Sequence, residues 1–104
     1  MTSRFYFEKI EESQKHLLED YFQKKKLVRL EKLLRHGDLG LAKFAANAKY
    51  HQRHNVFIIR LGLNFAGKDL RSEEKGRNLL ETFDLAFSRL INQLRKTEGK
   101  LHDK

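Results

Sequence analysis

The sequence predicts an α+β fold, a β-α-β-β-β-α two-layer sandwich with two helices on one face of a small, antiparallel-rich sheet. Three observations lead there. Apolar residues recur at three- and four-residue steps through residues 11–36 and again beyond residue 78, the repeat of an amphipathic helix. Between residues 39 and 65 the repeat shortens to two, that of a strand with one buried face. The chain has 104 residues, 39% hydrophobic and 11% aromatic, enough apolar surface for one core and too little length for a second.

Residues 4–9 set Phe5 and Phe7 on one face and are expected to add an edge strand. The first helix, residues 11–36, draws its apolar stripe from Leu17, Leu18, Tyr21, Phe22, Leu27, Val28, Leu30, Leu33 and Leu34. Ser13 or the Glu11-Glu12 pair marks its start, since first-turn carboxylates favour the positive end of the helix dipole, and His36-Gly37 supplies a stop. In residues 41–51, Ala42, Phe44, Ala46, Ala48 and Tyr50 alternate with Lys43, Ala45, Asn47, Lys49 and His51, giving one apolar and one basic face. In residues 55–64, Phe57, Ile59, Leu61 and Leu63 share a face, opposite Val56, Ile58, Arg60, Gly62 and Asn64. Gln52-Arg53-His54-Asn55 turns the chain between these strands, and Ala66-Gly67-Lys68-Asp69 turns it into a third hairpin strand at residues 70–75. Asn78 and Glu81 form a capping-box-like pair ahead of Leu80, Phe83, Phe87, Leu90 and Leu94, the spine of the final helix. One domain is expected over residues 1–98, with residues 99–104 a frayed basic tail.

Charge narrows the function. Lys and Arg outnumber Asp and Glu by 22 to 14, a formal charge of +8, so the expected partner is polyanionic. The excess is local. Residues 1–23 carry five acids against three bases, whereas residues 24–36 carry Lys24, Lys25, Lys26, Arg29, Lys32 and Arg35 against Glu31 alone. Between Asp38 and Asp69 there is no acid at all, while Lys43, Lys49, Arg53, Arg60 and Lys68 fall there with His51 and His54. Few i,i+4 acid partners exist for the helical run, and the strand bases share one sign, which points to phosphate.

Other chemistry finds little support. There is no cysteine, hence no disulfide or thiolate metal site, and no run long enough for a membrane span. His51 and His54 lack a third ligand at recognisable spacing, so no metal is expected. Glu73 and Glu74 are adjacent on a strand and point to opposite faces, which prevents joint acid-base work. Ser3, Ser13, Ser72 and Ser88 sit in no nucleophile elbow, and Gly62, Gly67 and Gly76 build no phosphate loop. The expectation is a non-enzymatic protein with no catalytic residue, cofactor or small-molecule substrate. Tyr50, Phe57, Phe83 and Phe87 are expected in the core, while the exposure of Tyr6 and Phe65 stays open.

Residues 67–96 resemble the closing strand and helix of the hibernation-promoting factor family, also called ribosome-associated inhibitor A or sigma-54 modulation protein. The matching features are Ser72-Glu73-Glu74, Phe83-Asp84-Leu85-Ala86 and Gln93-Leu94-Arg95-Lys96. Residues 26–34 look like that family's first-helix end and residues 48–57 like its central hairpin, so the resemblance covers most of residues 20–97. The chain would correspond to a short form without the extra dimerisation domain. The resemblance implies a cytoplasmic stress-response protein, monomeric off the ribosome. It would bind ribosomal RNA in the decoding channel of the small subunit of intact ribosomes, blocking messenger and transfer RNA.

The RNA-binding residues expected on both grounds are Lys24, Lys25, Lys26, Arg29, Lys32 and Arg35 on the first helix and Lys43, Lys49, His51, Arg53, His54 and Arg60 on the sheet. Arg89, Arg95 and Lys96 on the last helix complete one bipartite surface. Two alternatives compete. One is a double-stranded-RNA-binding module of order α-β-β-β-α, whose basic start to the last helix is present only weakly as Lys75 and Arg77. The other is a protein-interaction module using the exposed sheet or the Leu-rich helices.

Overall fold

Strand β1 (Thr2–Glu8) opens the chain, with Phe5 and Phe7 half-buried and Arg4, Tyr6 and Glu8 exposed. The computed structural model describes residues 1–34, 42–65 and 67–102, with side chains described through Lys96. A helical stretch follows as α1 (Glu12–Tyr21), a π-helical turn (Phe22–Lys26) and α2 (Leu27–Leu33). The chain then runs through β2 (Lys43–His51), β3 (Val56–Phe65), β4 (Lys68–Gly76) and α3 (Leu79–His102). The order β-α-β-β-β-α is the expected one, and the edge strand forms. Four further expectations, Arg35 as an RNA contact, the His36-Gly37 stop signal, Ala66 in the second turn and the end of the tail at Asp103-Lys104, lie outside the described residues.

The sheet has strand order β1-β2-β3-β4 and is mixed. β2 pairs antiparallel with β3, and β3 with β4, but β1 runs parallel to β2, with Phe5 beside Ala46 and Glu8 beside Lys49. The sheet is thus antiparallel-rich, as expected, with its one parallel pairing at the β1 edge. A hairpin reverses direction, whereas a long helical crossover between β1 and β2 lets the chain re-enter in the same direction.

The first helix contains a wide turn that its sequence pattern conceals. Its inward positions are Leu18, Phe22, Lys26, Leu30 and Leu34, spaced by four. In a regular α-helix each four-residue step rotates such a stripe by roughly 40°. The π turn, closed by the Leu27 N–H donating to the Phe22 carbonyl five residues back, counters that drift and keeps the stripe on the core. Val28, expected within the apolar stripe, is consequently about half exposed, at 54%, and Leu17, also expected there, is 52% exposed because the inward position in its part of α1 is the adjacent Leu18.

Phe22 is fully buried and joins three layers of contacts. Its ring stacks on Phe44 of β2 at 4.8 Å and meets Phe5 of β1 at 5.3 Å and Phe83 of α3 at 6.4 Å edge-on. Burial of each such side chain is worth about 1.5–3 kcal/mol, and the aromatic geometry adds to it. Ile59, Leu61 and Leu63 from β3 and Phe83, Phe87, Leu90, Ile91 and Leu94 from α3 fill the rest of the core.

β4 is fastened to α3 by side chains. The Ser72 hydroxyl donates to the Ala86 carbonyl at 2.7 Å, and the Gln93 amide donates to the Arg71 carbonyl at 2.6 Å. The Glu81 N–H donates to Asn78 Oδ1 at 2.9 Å, the expected cap. Gly76 admits no side chain, since a Cβ there would collide with Thr82 Oγ1. Tyr50 is half-buried against Phe57, and Phe57 and Phe65 are buried. α3 takes in residues 99–102 of the tail as helix.

Candidate nucleic-acid interface

The face of the sheet away from the helices presents the side chains in rows fixed by strand register. One row reads Thr2, Lys43, Asn64, Asp69; the next Arg4, Ala45, Gly62, Arg71; then Tyr6, Asn47, Arg60, Glu73; then Glu8, Lys49, Ile58, Lys75. Lys43, Lys49 and Arg60 thus share the open face, as their alternation required.

The window without acids along the chain is not without acids in space. β1 and β4 bring carboxylates alongside: Lys49 pairs with Glu8 at 3.4 Å and Arg60 with Glu73 at 2.7 Å. Arg71 pairs with Asp69 at 2.9 Å. The Arg60 guanidinium holds the Glu73 carboxyl below its ordinary range, so that pair persists into mild acid. Arg4, Lys43 and Lys75 on the same face have no ion-pair partner among the described residues. Arg4 and Lys75 escaped the sequence reading because only the strand register places them beside Lys43 and Lys49.

On the first helix, Lys25, Arg29 and Lys32 follow at steps of four and three, which sets them on one stripe. All three are exposed and have no ion-pair partner among the described residues. Lys24 pairs with Asp20 at 3.0 Å. Lys26, expected to face RNA, is turned into the molecule instead: its side chain is 18% exposed and its ammonium lies 3.0 Å from Asp84 on α3. It also sits over the rings of Tyr21 and Phe87 at 5.5 and 5.6 Å. The wide turn explains this, because it places Lys26 on the inward stripe between Phe22 and Leu30. Tyr21 donates to the same Asp84 carboxylate at 2.7 Å, and burial together with that bond pushes its pKa up to about 12.

At the β2–β3 hairpin, Arg53 and His54 are exposed at the tip, where Asn55 takes the left-handed conformation and accepts a hydrogen bond from Tyr50. The rings of His51 and His54 stack at 4.7 Å. Among the described residues no three His, Cys, Asp or Glu side chains gather as a metal site would require. Arg89 is engaged by Glu74, while Arg95 and Lys96 are exposed without an ion-pair partner among the described residues.

The expected residues therefore do not make one continuous surface. The helices cover one face of the sheet, so Lys25, Arg29 and Lys32 belong to the helical layer, whereas Lys43, Lys49 and Arg60 belong to the open face of the sheet. The exposed large apolar residues, Tyr6, Leu17, Val28 and Leu85, are distributed over β1, α1, α2 and α3. Among the described residues no helix is long and apolar enough to cross a membrane.

Residues 8–102 match the family model described as sigma 54 modulation protein / S30EA ribosomal protein. The chain belongs to that family. The resemblance drawn from residues 20–97 is confirmed by a match of greater extent. The fold agrees as well. The crystal structure of the Thermus thermophilus Protein Y N-terminal domain superposes with a TM-score of 0.71 at 20% identity, over 93% of this chain and 99% of that one. A ribosomal subunit interface protein from Coxiella burnetii superposes with a TM-score of 0.59 at 14% identity, over 92% and 98%. No curated protein matches the chain in sequence. For a family member, β1 is informative: it stands ahead of the first helix, a strand that the α-β-β-β-α order of a double-stranded-RNA module lacks.

Proposed function

We propose that this protein is a ribosome-associated hibernation factor that acts in the cytoplasm by binding, with no cofactor and no catalytic step. It would occupy the decoding channel of the small subunit, hold ribosomal RNA there, and keep messenger and transfer RNA out. Family membership supports the ribosome as partner. The observation that carries the RNA contact is the set of bases without acid partners among the described residues: Lys25, Arg29 and Lys32 on the helical side, Arg4, Lys43 and Lys75 on the sheet, and Arg53 at the hairpin tip.

Free cations in both layers of the domain suit a ligand that contacts it on more than one surface, as the walls of a channel would. Each phosphate neutralised releases counterions, so affinity gains little sequence preference and weakens steeply with salt. Folded RNA would be read by shape. Competition tests the reading: adding the protein to small subunits should displace labelled messenger RNA and transfer RNA at one protein per subunit. If both remain bound while the protein also binds, the channel is the wrong location.

A further inference from the structure

Tyr6 is an aromatic side chain that the core does not use. It is 50% exposed on the open sheet face, whereas its neighbours Phe5 and Phe7 turn toward the helices. Its row continues into Asn47 and Arg60, and Arg4 and Glu8 flank it along β1. Two shallow depressions run over this face. One is lined by Tyr6, Asn47, Lys49, Ile58 and Arg60 with Glu8, the other by Lys43, Asn47, Arg60, Gly62 and Asn64 with Asp69 and Glu73. They share Asn47 and Arg60, so together they form a trough from the β1 edge toward β4, across three strand spacings of on the order of 14 Å.

The floor of the trough is small by composition, not by constraint. Ala45 and Gly62 face each other across β2 and β3, and a Cβ at Gly62 would meet nothing nearer than the Leu70 carbonyl at 3.9 Å. Glycine inside a strand weakens it and often marks close approach of a ligand. The electrostatics select the ligand's sign. The three acids of the face, Glu8, Asp69 and Glu73, are each held by a base, and the six bases outnumber them, with Arg4 and Lys43 outside any ion pair among the described residues and Lys75 acting on Glu73 only through space. Asn47 and Asn64 are exposed, and their amides have no hydrogen-bond partner among the described residues.

The geometry points to a binding site for single-stranded RNA on this face, with one unpaired base stacked on Tyr6, the Asn47 amide at its edge, and Arg4 and Lys43 on the flanking phosphates. Stacking on an aromatic ring is available to every base, so the site grips unpaired RNA without reading its sequence. An apolar polypeptide would suit Tyr6 and Ile58 but would leave the free cations unmatched. The assignment deepens the RNA-binding reading above, resting on it only for the class of polymer.

The test uses the full chain and two labelled probes of equal length and charge, an oligoadenylate and its abasic ribose-phosphate counterpart, followed by fluorescence anisotropy. The expected result is tighter binding of the oligoadenylate by roughly 10-fold, with Tyr6→Ala abolishing the difference and Tyr6→Phe retaining it. Equal affinity of the native protein for the two probes would overturn the proposal whatever the variants do. So would a Tyr6→Ala protein, folded by circular dichroism, that keeps the preference. Ribosome association scored in parallel separates the two readings: if it survives while the base preference is absent, only the Tyr6 site falls.

Discussion

The helical stripe carries three bases and the open sheet face six, and the two hold them differently. On the stripe, Lys25, Arg29 and Lys32 are exposed and unpaired among the described residues. On the sheet, Lys49, Arg60 and Arg71 each lean on a carboxylate from their own or a neighbouring strand, and only Arg4, Lys43 and Lys75 stand outside ion pairs among the described residues. A run of bases on a helix keeps its charge because its neighbours in space are its neighbours in sequence. A run of bases on strands meets whatever the adjacent strands bring. The stripe should therefore meet phosphate as unneutralised charge, and the sheet should supply a partly neutralised surface on which particular side chains matter more than net charge.

The largest expected effect comes from reversing the stripe. The triple variant Lys25→Glu, Arg29→Glu, Lys32→Glu should weaken ribosome binding at least 100-fold near physiological salt, and flatten its dependence on salt, with an unchanged circular dichroism spectrum. Titration of labelled protein into ribosomes checks it. Next is Lys26, a helical base in the opposite situation. Lys26→Met should cost about 1–3 kcal/mol in denaturant unfolding, because Asp84 loses its charged partner, yet leave the salt slope of binding as it was. A loss of ribosome affinity without loss of stability would return Lys26 to the interface.

A smaller effect of opposite sign is expected on the sheet. Neutralising the acids with Glu8→Gln and Glu73→Gln frees Lys49 and Arg60, and binding at low salt should tighten by about 2- to 5-fold with a steeper salt slope. Unchanged affinity would mean that the sheet face meets no phosphate. The smallest effect is in alkali. Tyr21 has its folded pKa raised from 10.0 to about 12, so the stability due to its protonated hydroxyl is fully present below pH 10.0 and is lost as pH rises through about 12. A tyrosinate absorbance titration should show one late-titrating tyrosine, missing in Tyr21→Phe.

The contrast between stripe and sheet also marks what could be read from the residues alone. Alternation fixed which face Phe44, Ile59, Lys43 and Arg60 would take, and Asn78 with Glu81 announced the start of α3. These signals are local, and the sequence carries them whole. Two features are not local. The π turn inserts a rotation between Leu18 and Leu30 that no three- or four-residue count reveals, and it turned Lys26 inward and Val28 outward. The strand register, set by the parallel pairing of β1 with β2, brought Glu8 to Lys49 and placed Arg4 and Tyr6 on the open face. Sequence spacing predicted a surface of uniform sign; pairing across strands made it a patterned one.

Sedimentation with ribosomes on sucrose gradients, at low and then at high salt, tests the account most directly, with native protein and the stripe triple variant run side by side. The native protein should comigrate stoichiometrically with small subunits and intact ribosomes at low salt and be lost from them as salt rises, and the variant should comigrate little at either. Native protein absent from every ribosomal fraction at low salt, or a variant that comigrates as the native protein does, would contradict it.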